Sequence, residues 1–130
     1  RSTTMKTLGK MIRRSGASEV HVRVACPPII APCFYGIDMS TLGELFAPKF
    51  APARYRGEPA ADMLARMAEA LGVDSLRYLT VGEMARCLGL GPDRLCLGCV
   101  TGRYPTAWGQ TQMRRARAAL GRDGGGRTYE

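Results

Sequence analysis

The chain has 130 residues, 45% of them hydrophobic and 23% charged, which is enough for one domain or one piece of a larger domain and is not the composition of a disordered chain. Its 19 Lys and Arg against 11 Asp and Glu leave a net charge of +8. The apolar runs are a few residues long, against the roughly 18 that cross a bilayer, and no charged-then-apolar leader is visible, which argues against membrane and secretory readings.

Residues 3–15 carry Met5, Leu8 and Ile12 at helical spacing, with Lys6, Lys10, Arg13 and Arg14 around them and Gly16 as the stop, so a basic amphipathic helix is predicted. Arg1 at the first position, with the first Met at position 5 inside this helix-starting run, reads as a chain that lacks an N-terminal part. Val20, Val22 and Val24 alternate with His21 and Arg23, the period of a strand of about six residues closed by Pro27 and Pro28. A helix followed so closely by a strand is half of a βαβ unit, whose other half is expected upstream of Arg1. One convincing strand makes an incomplete parallel sheet, so the piece should lean on the rest of its domain.

No period holds over residues 26–59, where six prolines break the backbone, although Leu42, Leu45 and Phe46 could share one helical turn capped by Ser40 or Thr41. A loop of that length in a compact domain carries function or is covered by something else. Pro59 opens a helix through Met63, Leu64, Met67, Ala68 and Leu71, stopped at Gly72. Residues 74–79 read as a short strand or an extended link. Thr80 and Glu83 have the spacing of a capping box, starting a helix with Met84 and Leu88 facing inward and Gly89 as its stop. From Met113 the chain is Arg-rich and ends in Gly124, Gly125 and Gly126, so fraying is expected there.

The sharpest chemical signal is Cys96-Leu-Gly-Cys99. Gly98 lets the backbone turn so that both sulfurs face one point, which suits zinc, iron–sulfur or redox dithiol chemistry. A redox pair should open a helix, and with Thr101, Gly102 and Pro105 following, none is expected. A metal needs further ligands. Cys33 is the first candidate; Cys26 at a strand end and Cys87 in a helix read as packing residues. Five cysteines without a leader suit reduced thiols in a cytosol. Ser2, Thr3 and Thr4 lie at a helix head, where hydroxyls and free N–H groups serve either as a plain cap or as a phosphate grip. His21 has no evident acidic partner. The tail arginines lack aromatic interleaving and read as a solvated face. On the residues alone, an enzyme piece and a small cysteine-ligated metal module that meets nucleic acid through its basic surface both remain open.

The order of Arg1-Ser-Thr-Thr4, Glu19-Val-His-Val-Arg23, Pro27-Pro28, Pro32-Cys-Phe-Tyr-Gly-Ile-Asp38, Asp74-Ser-Leu76, Tyr78-Leu79, Cys96-Leu-Gly-Cys99 and Thr101-Gly-Arg-Tyr-Pro-Thr106 resembles the C-terminal portion of the amidophosphoribosyltransferases of purine biosynthesis. The resemblance implies an α/β fold: the C-terminal part of a type I, Rossmann-like phosphoribosyltransferase domain, with an incomplete parallel sheet and a helical C-terminal segment. Residues 1–106 would be that part together with a cluster-binding region, and residues 107–130 a basic tail, partly disordered. The implied reaction joins ammonia, released from glutamine by an N-terminal domain, to C1 of phosphoribosylpyrophosphate (PRPP), giving 5-phosphoribosylamine. The family's PRPP loop reads Asp-Asp-Ser-Ile-Val-Arg-(Gly or Ser)-Thr-Thr, and its tail matches Arg1, Ser2, Thr3 and Thr4. These would hold the 5′-phosphate, while the acids that serve Mg²⁺ would lie before Arg1.

One branch of the family carries a [4Fe-4S] cluster on four cysteines, three of which correspond to Cys33, Cys96 and Cys99; the fourth would lie upstream. Cys26 and Cys87 match no ligand position. The resemblance further implies a cytoplasmic homotetramer with PRPP and ammonia as partners and no nucleic acid or membrane. The chain by itself would be inert. The segment 47–60 is longer than in the family and is expected to be a surface insertion.

Overall fold

The computed structural model describes residues 2–120. Among them lie five α-helices and one parallel pair of strands: α1 (Thr3–Arg14), β1 (His21–Val24), α2 (Ala61–Leu71), β2 (Ser75–Tyr78), α3 (Val81–Leu88), α4 (Gly98–Thr101) and α5 (Ala107–Ala119). Residues 74–79 therefore do supply a strand, and the pair β1–β2 with α2 between them makes the incomplete parallel sheet of an α/β fold. The register sets His21 opposite Ser75, Val22 opposite Leu76 and Val24 opposite Tyr78. β1 is shorter than the valine alternation suggested. The backbone of Val20 is nonetheless paired, since its carbonyl accepts from the Asp74 N–H at 2.9 Å.

Two apolar clusters hold the described residues together. The first packs α2, through Met63 and Met67, both 0% exposed, against Val20, Val73 and Leu76. The second joins Ala31, Phe34, Leu42 and Leu45 to Tyr104 and to Met113 of α5. Local signals explain the helix ends. Thr80 caps α3 by accepting from the Glu83 N–H while the Glu83 carboxylate accepts from the Thr80 N–H, the reciprocal box its spacing predicts. α2 and α3 both end on a left-handed glycine, Gly72 and Gly89. The turn expected over residues 40–46 is a short 3-10 helix, Leu42–Glu44, boxed by Thr41 and Glu44.

Four expectations are corrected. Segment 47–60 is only partly on the surface: residues 52–54 are exposed, but Ala47 and Tyr55 are each 4% exposed, and Phe46, Phe50 and Ala51 pack on the first cluster. Its aromatic content, not any period, carries it inward, and the Tyr55 hydroxyl is buried without a hydrogen-bond partner among the described residues. Of the tail expected over 107–130 to be partly disordered, with fraying from Met113, residues 107–119 form α5. Thr106 caps that helix by accepting from the Gly109 N–H, and Met113 is 2% exposed. Residues 121–130 lie outside the described residues. On α3, Cys87, expected to pack, and Leu88, expected to face inward, are both exposed.

A polar clasp fixes the start of the sheet. The Asp74 carboxylate accepts from the Val20 N–H at 2.7 Å and from the Arg13 guanidinium, tying the end of α1 to the entry of both strands. The Val20 hydrogen bond and the neighbouring Arg13 hold this carboxyl below the usual carboxylate range. A depressed carboxylate contributes stability that is complete above its unfolded value, about 3.9, and that disappears as pH falls through the lower folded value. Asp74→Asn is therefore expected to melt below the wild type at pH 7, with the gap closing as pH drops toward 3. A gap that stayed constant in melting curves across that range would contradict the clasp.

Candidate metal centre

The proline-broken stretch after β1 brings Cys33 to the Cys96-Leu-Gly-Cys99 turn. The N–H groups of Ile30 and Ala31 both donate to the Cys99 carbonyl, at 2.9 and 3.0 Å, so the two segments are stitched together two residues before Cys33. Tyr104 lies between them. Its hydroxyl donates to the Pro32 carbonyl, its ring packs against Phe34 with centroids 5.0 Å apart, and its own N–H donates to the Gln110 side chain on α5. Gly98 is required by this ring, because a Cβ there would stand 2.7 Å from Tyr104 Cδ1. One helical turn, α4, starts at Gly98 inside the motif and stops at Gly102 in the left-handed region, φ +71°. The expectation that no helix opens after the cysteines is corrected to that extent.

Burial pushes the Cys99 thiol up, and the Cys33 thiol beside it pushes it further, with smaller contributions from Cys96 and Cys26. Burial raises the Tyr104 hydroxyl likewise, and Cys99, Cys33 and Cys96 all add to that rise. The Cys99 thiolate therefore forms less readily than that of a free cysteine, and a cation beside it would favour it. Cys33 and Cys99 are half-buried and Cys96 is exposed. Among the described residues, no three His, Cys, Asp or Glu side chains stand close enough together to hold a single metal ion. Cys33, Cys96 and Cys99 offer soft sulfur donors, the type that iron–sulfur clusters and zinc both take.

The second set of predicted residues stands at the head of α1. Ser2 occupies the N-cap with no side-chain capping bond, and no acid lies in the first turn, so the helix's free N–H groups and positive end are not neutralised locally. Thr3 and Thr4 follow in the first turn; Arg1 lies outside the described residues. A cavity of about 250 Å³, walled mainly by apolar side chains such as Ile29, Leu45, Phe46, Leu71 and Leu76, is lined also by Ser2 and Met5 of this helix head and by Val24 and Cys26 at the carboxyl end of β1. That is the end of a parallel sheet at which α/β folds bind ligands.

One network escaped sequence reasoning. His21 does have an acidic partner, Glu19, at 2.9 Å, and its other ring nitrogen lies 2.8 Å from Ser75 Oγ. Residues two apart on extended chain share a face, and Glu19 stands two residues before His21, which is the signal that could have found it.

No family model matches the chain. Among curated proteins it is 42% identical over 106 residues to an amidophosphoribosyltransferase of Methanocaldococcus jannaschii, a stretch covering 82% of this chain and 20% of that protein. It is 39% identical over 110 residues to the amidophosphoribosyltransferase of Bacillus subtilis, covering 82% of this chain and 21% of that protein. Over these residues the chain belongs with the amidophosphoribosyltransferases. The amidophosphoribosyltransferase of Synechococcus elongatus gives the same picture, 39% over 107 residues. The chain spans about a fifth of the length of these amidophosphoribosyltransferases. Among the described residues no helix is long and apolar enough to cross a membrane.

Proposed function

We propose that the chain supplies two parts of an amidophosphoribosyltransferase: a grip for the 5′-phosphate of PRPP and three ligands of a [4Fe-4S] cluster. Residues 1–106 are read as the C-terminal part of the phosphoribosyltransferase domain with its cluster-binding region. Residues 107–130 are read as a basic appendage whose first helix packs back onto that part. The observation that carries the reading is that Tyr104 touches Pro32 and Phe34 on either side of Cys33 and also Gly98 between Cys96 and Cys99, in a chain 42% identical to an amidophosphoribosyltransferase.

In this reading Arg1, Ser2, Thr3 and Thr4 hold the terminal phosphate of the sugar at the head of α1, where N–H groups are free. Ammonia, released from glutamine in another part of the protein, attacks C1 as pyrophosphate leaves. A transition state of oxocarbenium character needs anchoring, neutralised charge and excluded water more than it needs a strong base, and hydroxyls with free N–H groups supply the anchor. Mg²⁺ would neutralise the leaving pyrophosphate on acids outside this chain. Cys33, Cys96 and Cys99 would hold the cluster, which serves as a structural staple between the segment after β1 and the turn at α4. Cytoplasmic location and a homotetramer complete the proposal.

The test uses the intact protein purified without air. It is expected to release pyrophosphate from PRPP with ammonia and to contain about four iron and four sulfide per chain, as a cubane cluster requires. Zinc alone at one equivalent would overturn the cluster, and no pyrophosphate release would overturn the reaction.

A further inference from the structure

We propose that Tyr104 is the positioning residue that sets the separation between Cys33 and the Cys96–Cys99 pair. The inference rests on the proposed reading of these three cysteines as ligands of one centre. Cys33 and Cys99 are far apart along the chain, and their spacing must be fixed by something that touches both segments. Tyr104 touches the residues flanking Cys33 on either side. Its hydroxyl donates to the Pro32 carbonyl, and its ring packs on Phe34 at 5.0 Å between centroids. It also touches the residue enclosed by the pair, since its ring leaves no room for a side chain at Gly98, where a Cβ would meet Cδ1 at 2.7 Å and Cε1 at 2.8 Å.

The tyrosine is itself held. It is buried in the second apolar cluster, and its N–H donates to Gln110 Oε1 at 3.1 Å, so α5 fixes its backbone. A rigid ring with two torsions, pinned at both ends, transmits the position of one ligand segment to the other. The bonds from Ile30 and Ala31 to the Cys99 carbonyl join the same segments through the backbone alone, and they hold points three and two residues before Cys33 rather than Cys33 itself. Tyr35 provides a matched contrast in the same aromatic group. It lies in the Cys33 segment and its N–H donates to Cys33 Sγ at 3.4 Å, a contact that Tyr35→Phe keeps, whereas its hydroxyl pairs with Thr106 at 2.9 Å and does not reach the Cys96–Cys99 turn.

The experiment compares the intact wild-type protein with Tyr104→Phe and Tyr35→Phe, all purified without air, reading iron and sulfide content and then the rate of iron loss to a chelator. Tyr104→Phe keeps the ring and loses only the tie to Pro32, so it should retain its iron on purification and lose it about five- to tenfold faster than wild type, the worth of one hydrogen bond. Tyr35→Phe should lose iron at the wild-type rate. Equal rates for Tyr104→Phe and wild type would overturn the positioning role while leaving the ligand reading intact. Equal acceleration in both variants would also overturn it, because a general loss of stability would then suffice. Absence of iron and sulfide from the wild type would instead remove the ligand reading on which the role depends. Should Tyr104→Phe fail to fold, Gly98→Ala displaces the same ring from the other side, and iron loss from that variant at the wild-type rate would overturn the proposal.

Discussion

Cys99→Ser in the intact protein is expected to lower iron content and thermal stability together, with iron falling to less than about a quarter of wild type, since a cluster that loses one thiolate of a four-cysteine set is rarely retained. Two physical effects act in the same direction. A serine hydroxyl is far harder to ionise than a thiol, and it is a hard oxygen donor where iron–sulfur chemistry favours soft sulfur. Burial and the nearby Cys33 also raise the Cys99 thiol, so a cation favours its ionised form. Cys87→Ser is the control. Cys87 is exposed on α3, and its replacement should change neither reading. Iron and sulfide analysis with melting curves decides the matter. Unchanged iron in Cys99→Ser would remove Cys99 from the ligand set.

How much of this was legible in the sequence follows from how local each cause is. The Thr80–Glu83 box and the glycine stops at Gly72 and Gly89 depend on residues three or four apart, and the helices begin and end where those residues stand. α5 was obscured by its arginine run. Its cap at Thr106 was present, but its anchor, Met113, becomes recognisable only once Phe34, Leu42 and Tyr104 form a surface to receive it. The order of residues 26–59 was likewise illegible, because Ala47, Phe50 and Tyr55 are placed by contacts with α2 and the sheet rather than with their chain neighbours. The same holds at the candidate centre. The spacing of Cys96 and Cys99 announced a pair, whereas nothing in the spacing pointed to Cys33. It was a candidate as a cysteine of the proline-broken segment, the family resemblance set it above Cys26 and Cys87, and the ties through Pro32, Ile30 and Ala31 join its segment to the turn.

The largest loss of stability is expected at Met67. With four residues in each strand, the backbone pairing of β1 and β2 is short, and two strands alone are marginal in water. The sheet is therefore held chiefly by what packs on it, and α2 does so through Met63 and Met67, one helical turn apart and both 0% exposed. Met67→Ala removes a fully buried side chain whose surroundings are fixed by Val20, Val73 and Leu76, so the void cannot collapse easily, and a cost of about 2–5 kcal/mol is expected. Met67→Leu, which nearly conserves volume, should cost less than about 1.5 kcal/mol. Leu88→Ala, on an exposed face of α3, should stay within about 0.5 kcal/mol of wild type. Urea denaturation measures all three. If Met67→Ala cost no more than Leu88→Ala, α2 could not be the helix that secures the sheet, and the support for the strand ends beside the Ser2 cavity would have to come from elsewhere.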